Sequence, residues 1–169
     1  MPTVVVINGP NLNRLGTREP DIYGRTTLAG VERMVRRRGR EIGWKVETFQ
    51  SNHEGALIDR VHRAADSGAD GIILNGGALT HYSYALADAL RSVEVPAVEV
   101  HISDIHARES WRRKSVTGDA CIAVLAGLGV EGYTTALDLL AERLGAAAAP
   151  PRRRAKTTAR GKARGKVAR

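Results

Sequence analysis

Gly71-Ile72-Ile73-Leu74-Asn75-Gly76-Gly77 is an apolar run that stops abruptly at a polar, glycine-rich turn. A short uninterrupted run of this kind reads as a strand of a parallel sheet, buried on both faces. Two other runs have the same form: Val4-Val5-Val6-Ile7 leads into Asn8-Gly9-Pro10-Asn11, and Ala97-Val98-Glu99-Val100 leads into His101-Ile102-Ser103. A parallel α/β sheet binds its ligand beyond the carboxyl ends of its strands, in the crevice where strand order reverses. If the three runs lie side by side, their polar ends form one site.

Working outward, the pattern alternates strand and helix. Thr3–Asn8 is the first strand, and a long polar loop over 9–26 follows it. Loops of that length in compact domains tend to be functional or disordered. Thr26 or Thr27 caps a helix running to about Gly43, with Leu28, Val31, Val35 and Ile42 on one side and arginines on the other. Trp44–Gln50 alternates as an edge strand, and Glu54–Ser67 repeats apolar residues at helical spacing until Gly68. A helix from about Ser83 to Val93 and a strand over Pro96–Ile102 come next. A polar loop, Ser103–Asp119, then precedes an apolar fifth strand, Ala120–Ala126, and a last helix near Gly132–Leu144. The expected architecture is a single α/β domain over 1–147, a doubly wound, flavodoxin-like, five-stranded parallel sheet. Strands one, three, four and five are expected to be buried on both faces.

The net charge of +8 over 169 residues resembles that of a nucleic-acid binder until it is located. Nine of the basic residues fall in 152–169, which contains no acid; without them 17 basic residues face 18 acidic ones. The basicity therefore belongs to a tail, 148–169, which begins with alanine and proline and is expected to be disordered. Any nucleic-acid contact would run through that tail. Cys121 is the only cysteine, so no intrachain disulfide forms, and its apolar surroundings predict an inert thiol. No run is long and apolar enough for a membrane span, and no signal peptide is evident, which makes a cytoplasmic protein the default.

Several chemistries fit the strand ends poorly. The first turn lacks G-x-G-x-x-G and a Walker lysine, and Pro10 removes an amide, so phosphate cradling is not expected. His81, His101 and His106 lie near strand ends without a close metal-ligand spacing. Outside the tail the only lysines are Lys45 and Lys114, neither placed for imine chemistry. Proton transfer without metal or cofactor remains. Glu99 and His101 are two apart on one strand and share a face, so the carboxylate can hold the imidazole as a general acid. The same pair would serve equally as a structural one, and spacing alone does not separate the two. The first loop carries Arg14, Arg18, Tyr23 and Arg25. A guanidinium about 4 Å from a phenol supplies about 4 kcal/mol at an effective dielectric of about 20, which brings tyrosinate within reach as a base. Taken alone, a tyrosine such as Tyr23 is more often an aromatic that packs its loop.

Asn8-Gly9-Pro10-Asn11-Leu12, the stretch Gly16-Thr17-Arg18-Glu19-Pro20-Asp21-Ile22-Tyr23-Gly24, Asn75-Gly76-Gly77-Ala78-Leu79-Thr80-His81 and Glu99-Val100-His101-Ile102-Ser103 occur in order. With Ala87-Asp88, Arg108-Glu109, Arg112 and Gly127-Leu128-Gly129-Val130-Glu131-Gly132-Tyr133, they resemble the type II 3-dehydroquinate dehydratases of the shikimate pathway over about residues 3–145. The resemblance implies trans-dehydration of 3-dehydroquinate to 3-dehydroshikimate through an enolate, with no cofactor. It implies Tyr23 as the base, Arg18 beside it, Asn11 stabilising the enolate through a water, and His101, held by Glu99, as the acid. Asn75, His81, Arg112 and the backbone of Ile102 and Ser103 would bind the substrate, joined by Asp88 from a neighbouring subunit of a dodecamer built of trimers. Loop 9–26 would act as a lid, bracketed by Gly16 and Gly24, which read equally as hinges or as simple turns. Tyr82, Ala87 and the stretch 116–120 depart from the family pattern, which bears on subunit contacts more than on chemistry.

Overall fold

The five strands of the computed structural model, which describes residues 1–17 and 25–148, are all parallel. They are β1 (Thr3–Asn8), β2 (Lys45–Gln50), β3 (Gly71–Asn75), β4 (Ala97–His101) and β5 (Ala123–Ala126), in the order β2-β1-β3-β4-β5. The chain winds outward from β1 to β2, returns to place β3 on the other side of β1, and continues to β5. The order therefore reverses between β1 and β3, which is where such sheets hold their ligands.

Among the described residues four α-helices cover the sheet: α1 (Leu28–Ile42), α2 (Glu54–Asp66), α3 (Tyr84–Arg91) and α4 (Gly132–Ala148). Strand alternation sorts the core into two layers. Val4, Val6, Ile73, Val98 and Val100 pack under α1 and α4, against Val31, Val35, Leu137 and Leu140. Val5, Ile7, Ile72, Leu74 and Ala97 pack under α2 and α3, against Leu57, Val61, Leu86 and Leu90. The helix ends follow local chemistry. The Thr27 hydroxyl accepts from the Gly30 N–H at 3.2 Å, and Gly43 closes α1 at φ 76°. Ser83 caps α3 by accepting from the Leu86 N–H at 3.0 Å.

Strands β1, β3 and β4 are buried on both faces as expected, but β5 is not. It begins at Ala123 rather than Ala120, because 118–120 are drawn into a 3-10 turn, and its residues are half-buried, with Val124 41% exposed. The reason is topological. β5 is an edge strand, and among the described residues the crossover from β4 is a series of 3-10 turns with no α-helix to cover its outer face. The expectations for Arg18, Tyr23 and Gly24, and for the tail beyond Ala148, lie outside the described residues.

Candidate active site

The turns after β1 and β3 approach too closely to leave room for a side chain at Gly9. The Gly9 N–H donates to the Asn75 carbonyl at 2.7 Å, and a Cβ on Gly9 would stand 2.5 Å from the Gly76 carbonyl oxygen. Gly77 returns the contact: its φ is +57°, and a Cβ there would lie 2.9 Å from the Pro10 oxygen. Asn11 is the one non-glycine at positive φ among the described residues, at 68°. Its N–H donates to Asn52 Oδ1 at 2.9 Å, and Gln50 at the end of β2 donates to the Gly9 carbonyl and to Asn52. A left-handed non-glycine held this way marks a position whose geometry the surroundings impose.

Beyond these turns opens a cleft of about 670 Å³, counting the solvent at its mouth. Pro10, Asn11 and Asn75 line it from the first two strand ends, His101, Ile102 and Ser103 from the third, and His81 and Arg112 from the loops. All of these except Pro10 are sequence-predicted site residues. Glu99 lies directly behind His101. Its carboxylate is fully buried, and His101 Nε2–H donates to its Oε1 at 2.7 Å. That bond leaves Nδ1 as the imidazole nitrogen available to the cleft.

His81 is fixed differently. A carbonyl can only accept, so the 2.7 Å contact between His81 Nδ1 and the Lys114 oxygen places the proton on Nδ1 and leaves Nε2 as an acceptor. Burial holds the His81 pKa below the usual histidine value against the opposing pull of that carbonyl; His101 and Arg112 push it further down. The two imidazoles stack with centroids 6.2 Å apart. At the rim, half-exposed Trp111 meets His81 edge-on and carries the Arg112 guanidinium 4.1 Å from its ring centroid, while Arg112 also pairs with Glu109 at 3.0 Å. The turn after β4 is pinned by its carbonyls: Ile102 O accepts from Gly129 N–H at 3.0 Å and Ser103 O from Gly127 N–H at 3.1 Å.

Asp88 stands apart. It lies on α3 with its side chain 78% exposed, pairs with Arg91, and does not line the cleft. Ala87, beside it, is fully buried. Cys121 is largely buried, which pushes its thiol up to about 12, with the nearby Glu99 charge acting in the same direction. Among the described residues no group of three or more His, Cys, Asp or Glu side chains is arranged to hold a metal.

Four residues of the site carry no role in the sequence reading, although Arg108 and Tyr133 lie within its motifs. Arg108 lines the cleft. Ser115 and Thr117 donate to Glu99 from the β4–β5 connection. Tyr133, fully buried on α4, donates to Asn8 Oδ1 at 2.7 Å and accepts from Asn75 Nδ2 at 2.8 Å, so it steadies a cleft residue from beneath the sheet. A signal was available for Ser115 and Thr117, because a glutamate inside a fully buried strand requires donors.

Residues 2–141 match the family model described as dehydroquinase class II. The chain belongs to that family. It is 53% identical over 144 residues to the 3-dehydroquinate dehydratase of Bacillus cereus (strain AH187), an alignment spanning 85% of this chain and 98% of the relative. Among solved structures it resembles the type II dehydroquinase of Butyrivibrio crossotus DSM 2876, with TM-score 0.82 and 46% identity over 83% of this chain and 97% of that one. The type II dehydroquinase of Propionibacterium acnes gives a TM-score of 0.81 at 43% identity, over 84% and 97% of the two chains. Family membership and the sheet order thus agree with the architecture expected from the strand pattern.

Proposed function

We infer that the chain is a type II 3-dehydroquinate dehydratase, removing water from 3-dehydroquinate to give 3-dehydroshikimate. The observation that carries this reading is a buried carboxylate–imidazole pair opening onto the strand-end cleft of a class II dehydroquinase chain. A proton next to a carbonyl needs a base, the oxyanion that forms needs donors, and a departing hydroxyl needs an acid.

In this reading Tyr23, as phenolate beside the Arg18 guanidinium, takes the C2 proton. The electron pair of the C–H bond moves onto the carbonyl oxygen, where Asn11 stabilises the enolate through a water. When the enolate collapses, the C1–O bond breaks and the hydroxyl leaves as water with a proton from His101, whose Nε2–H bond to Glu99 aims Nδ1 at the cleft. A proton returning from Tyr23 to His101 resets the site, so the net change is loss of one water. Asn75, His81 and Arg112 hold the ring hydroxyls and flanking groups, and the amides of Ile102 and Ser103 meet the carboxylate. The exposed carboxylate of Asp88 supports the further proposal that it serves a neighbouring subunit in a dodecamer of trimers. The deciding experiment adds 3-dehydroquinate to the purified, assembled full-length chain and follows absorbance of the conjugated enone product. Absence of that signal would overturn the reading.

A further inference from the structure

The connection between β4 and β5 does more than cross the sheet. Where neighbouring crossovers use a helix, this one lays 115–118 across the face on which Glu99 points inward. Ser115 Oγ–H donates to Glu99 Oε1 at 2.6 Å, beside the bond from His101, and Thr117 Oγ1–H donates to Oε2. Neither hydroxyl is left to rotate freely. The Gly118 N–H donates to Ser115 Oγ at 2.7 Å, which turns the serine proton towards the carboxylate. The segment itself is anchored by the Val116 N–H on the Thr80 carbonyl at 2.8 Å and by the Ala120 N–H on the Thr117 carbonyl at 3.0 Å. Thr117 is fully buried, and neither residue lines the cleft.

We propose that Ser115 and Thr117 are positioning residues for the general acid, locking both oxygens of Glu99 so that the carboxylate holds the His101 ring with Nδ1 aimed at the substrate's departing hydroxyl. A carboxylate bonded only by the imidazole could rotate about its terminal torsion and carry the ring with it. With three donors on two oxygens that freedom is gone. The assignment rests on the dehydratase reading and adds to it two residues that never touch substrate.

The test measures kcat and KM for 3-dehydroquinate with full-length Thr117→Val, Thr117→Ser and Ser115→Ala, each checked for assembly on a sizing column. Valine keeps the shape of threonine and removes the donor to Oε2. The expected result is a fall in kcat of about 10- to 100-fold with KM within about twofold, because misaiming costs the chemical step rather than binding. Thr117→Ser restores kcat to within about twofold of the parent, and Ser115→Ala lowers kcat without raising KM. Three outcomes would overturn the proposal: unchanged kcat in Thr117→Val, a Thr117→Ser as slow as the valine variant, or KM rising as kcat falls. The last would mean that the segment merely supports His81 through the Lys114 carbonyl. If Thr117→Val does not assemble, Ser115→Ala and Thr117→Ser decide by the same split. A parent chain without turnover removes the dehydratase reading and this inference together; an active parent with an unaffected valine variant removes this inference alone.

Discussion

At His81 one hydrogen bond decides which nitrogen can serve a ligand. Its Nδ1–H is taken by the Lys114 carbonyl, so Nε2 offers a lone pair to a substrate hydroxyl only while the ring is neutral. Burial lowers its pKa from the ordinary value of about 6.5. The sign follows from linkage: as pH falls below about 6.5, the unfolded chain binds a proton that the folded ring still refuses, so stability present above that pH is lost towards acid. Denaturant midpoints should therefore fall between about pH 6.5 and 5, and His81→Gln should flatten that slope; an unaltered slope would dismiss the assignment. The acid and base answer to a different test. His101→Ala and Tyr23→Phe should each reduce turnover by at least about 10²-fold while leaving circular dichroism and melting temperature near the parent's. A Tyr23→Phe variant with near-parent kcat would remove the phenolate from the mechanism.

Elements whose ends are written in local chemistry were legible in advance. Thr27 and Gly43 bound α1, Ser83 opens α3, and the apolar run Gly71–Asn75 coincides with β3. The β4–β5 connection was not, because it has no periodicity and its hydroxyls acquire a purpose only when Glu99 is packed beneath them. The role of Tyr133, though the residue lies in a motif, was hidden for the same reason: its partners Asn8 and Asn75 are far away in the chain and meet only across the sheet. The site residues at strand ends were legible because topology alone brings strand ends together. That convergence rests on the glycine contact between the turns, which can be tested. Gly77→Ala combines a positive φ with a 2.9 Å clash against the Pro10 carbonyl and should cost about 1–3 kcal/mol, with KM raised because Asn11 and Asn75 are displaced together. Gly55→Ala, on α2 with nothing within 4 Å of the added methyl, should be neutral or stabilise by up to about 1 kcal/mol. Equal melting temperatures for the two variants would mean that the turns tolerate separation.

On the scale of the whole molecule, charge and assembly are separate matters. The nine basic residues of 152–169 lie beyond the described residues, while three of the five arginines of α1 pair with acids: Arg36 with Glu32, Arg37 with Glu41, Arg38 with Asp138. Retention on DNA at low salt should therefore fall on truncation at Pro150, and equal retention would leave the tail no part in polyanion binding. No helix among the described residues is long and apolar enough to cross a membrane. The proposal that Asp88 serves a neighbouring subunit is testable, because its exposed carboxylate does not line its own cleft. If it completes a neighbour's site, the damage done by Asp88→Asn and by His101→Ala falls on different subunits of the same site. Each homo-oligomer should be nearly inactive. Dissociated and reassembled as an equal mixture, roughly a quarter of the sites should pair an intact His101 with an intact Asp88 and regain activity, as expected for random assortment around a closed ring. Should the mixture stay as inactive as its components while parent subunits recover through the same cycle, Asp88 acts within its own chain or not at all, and the cleft must be complete in one protomer.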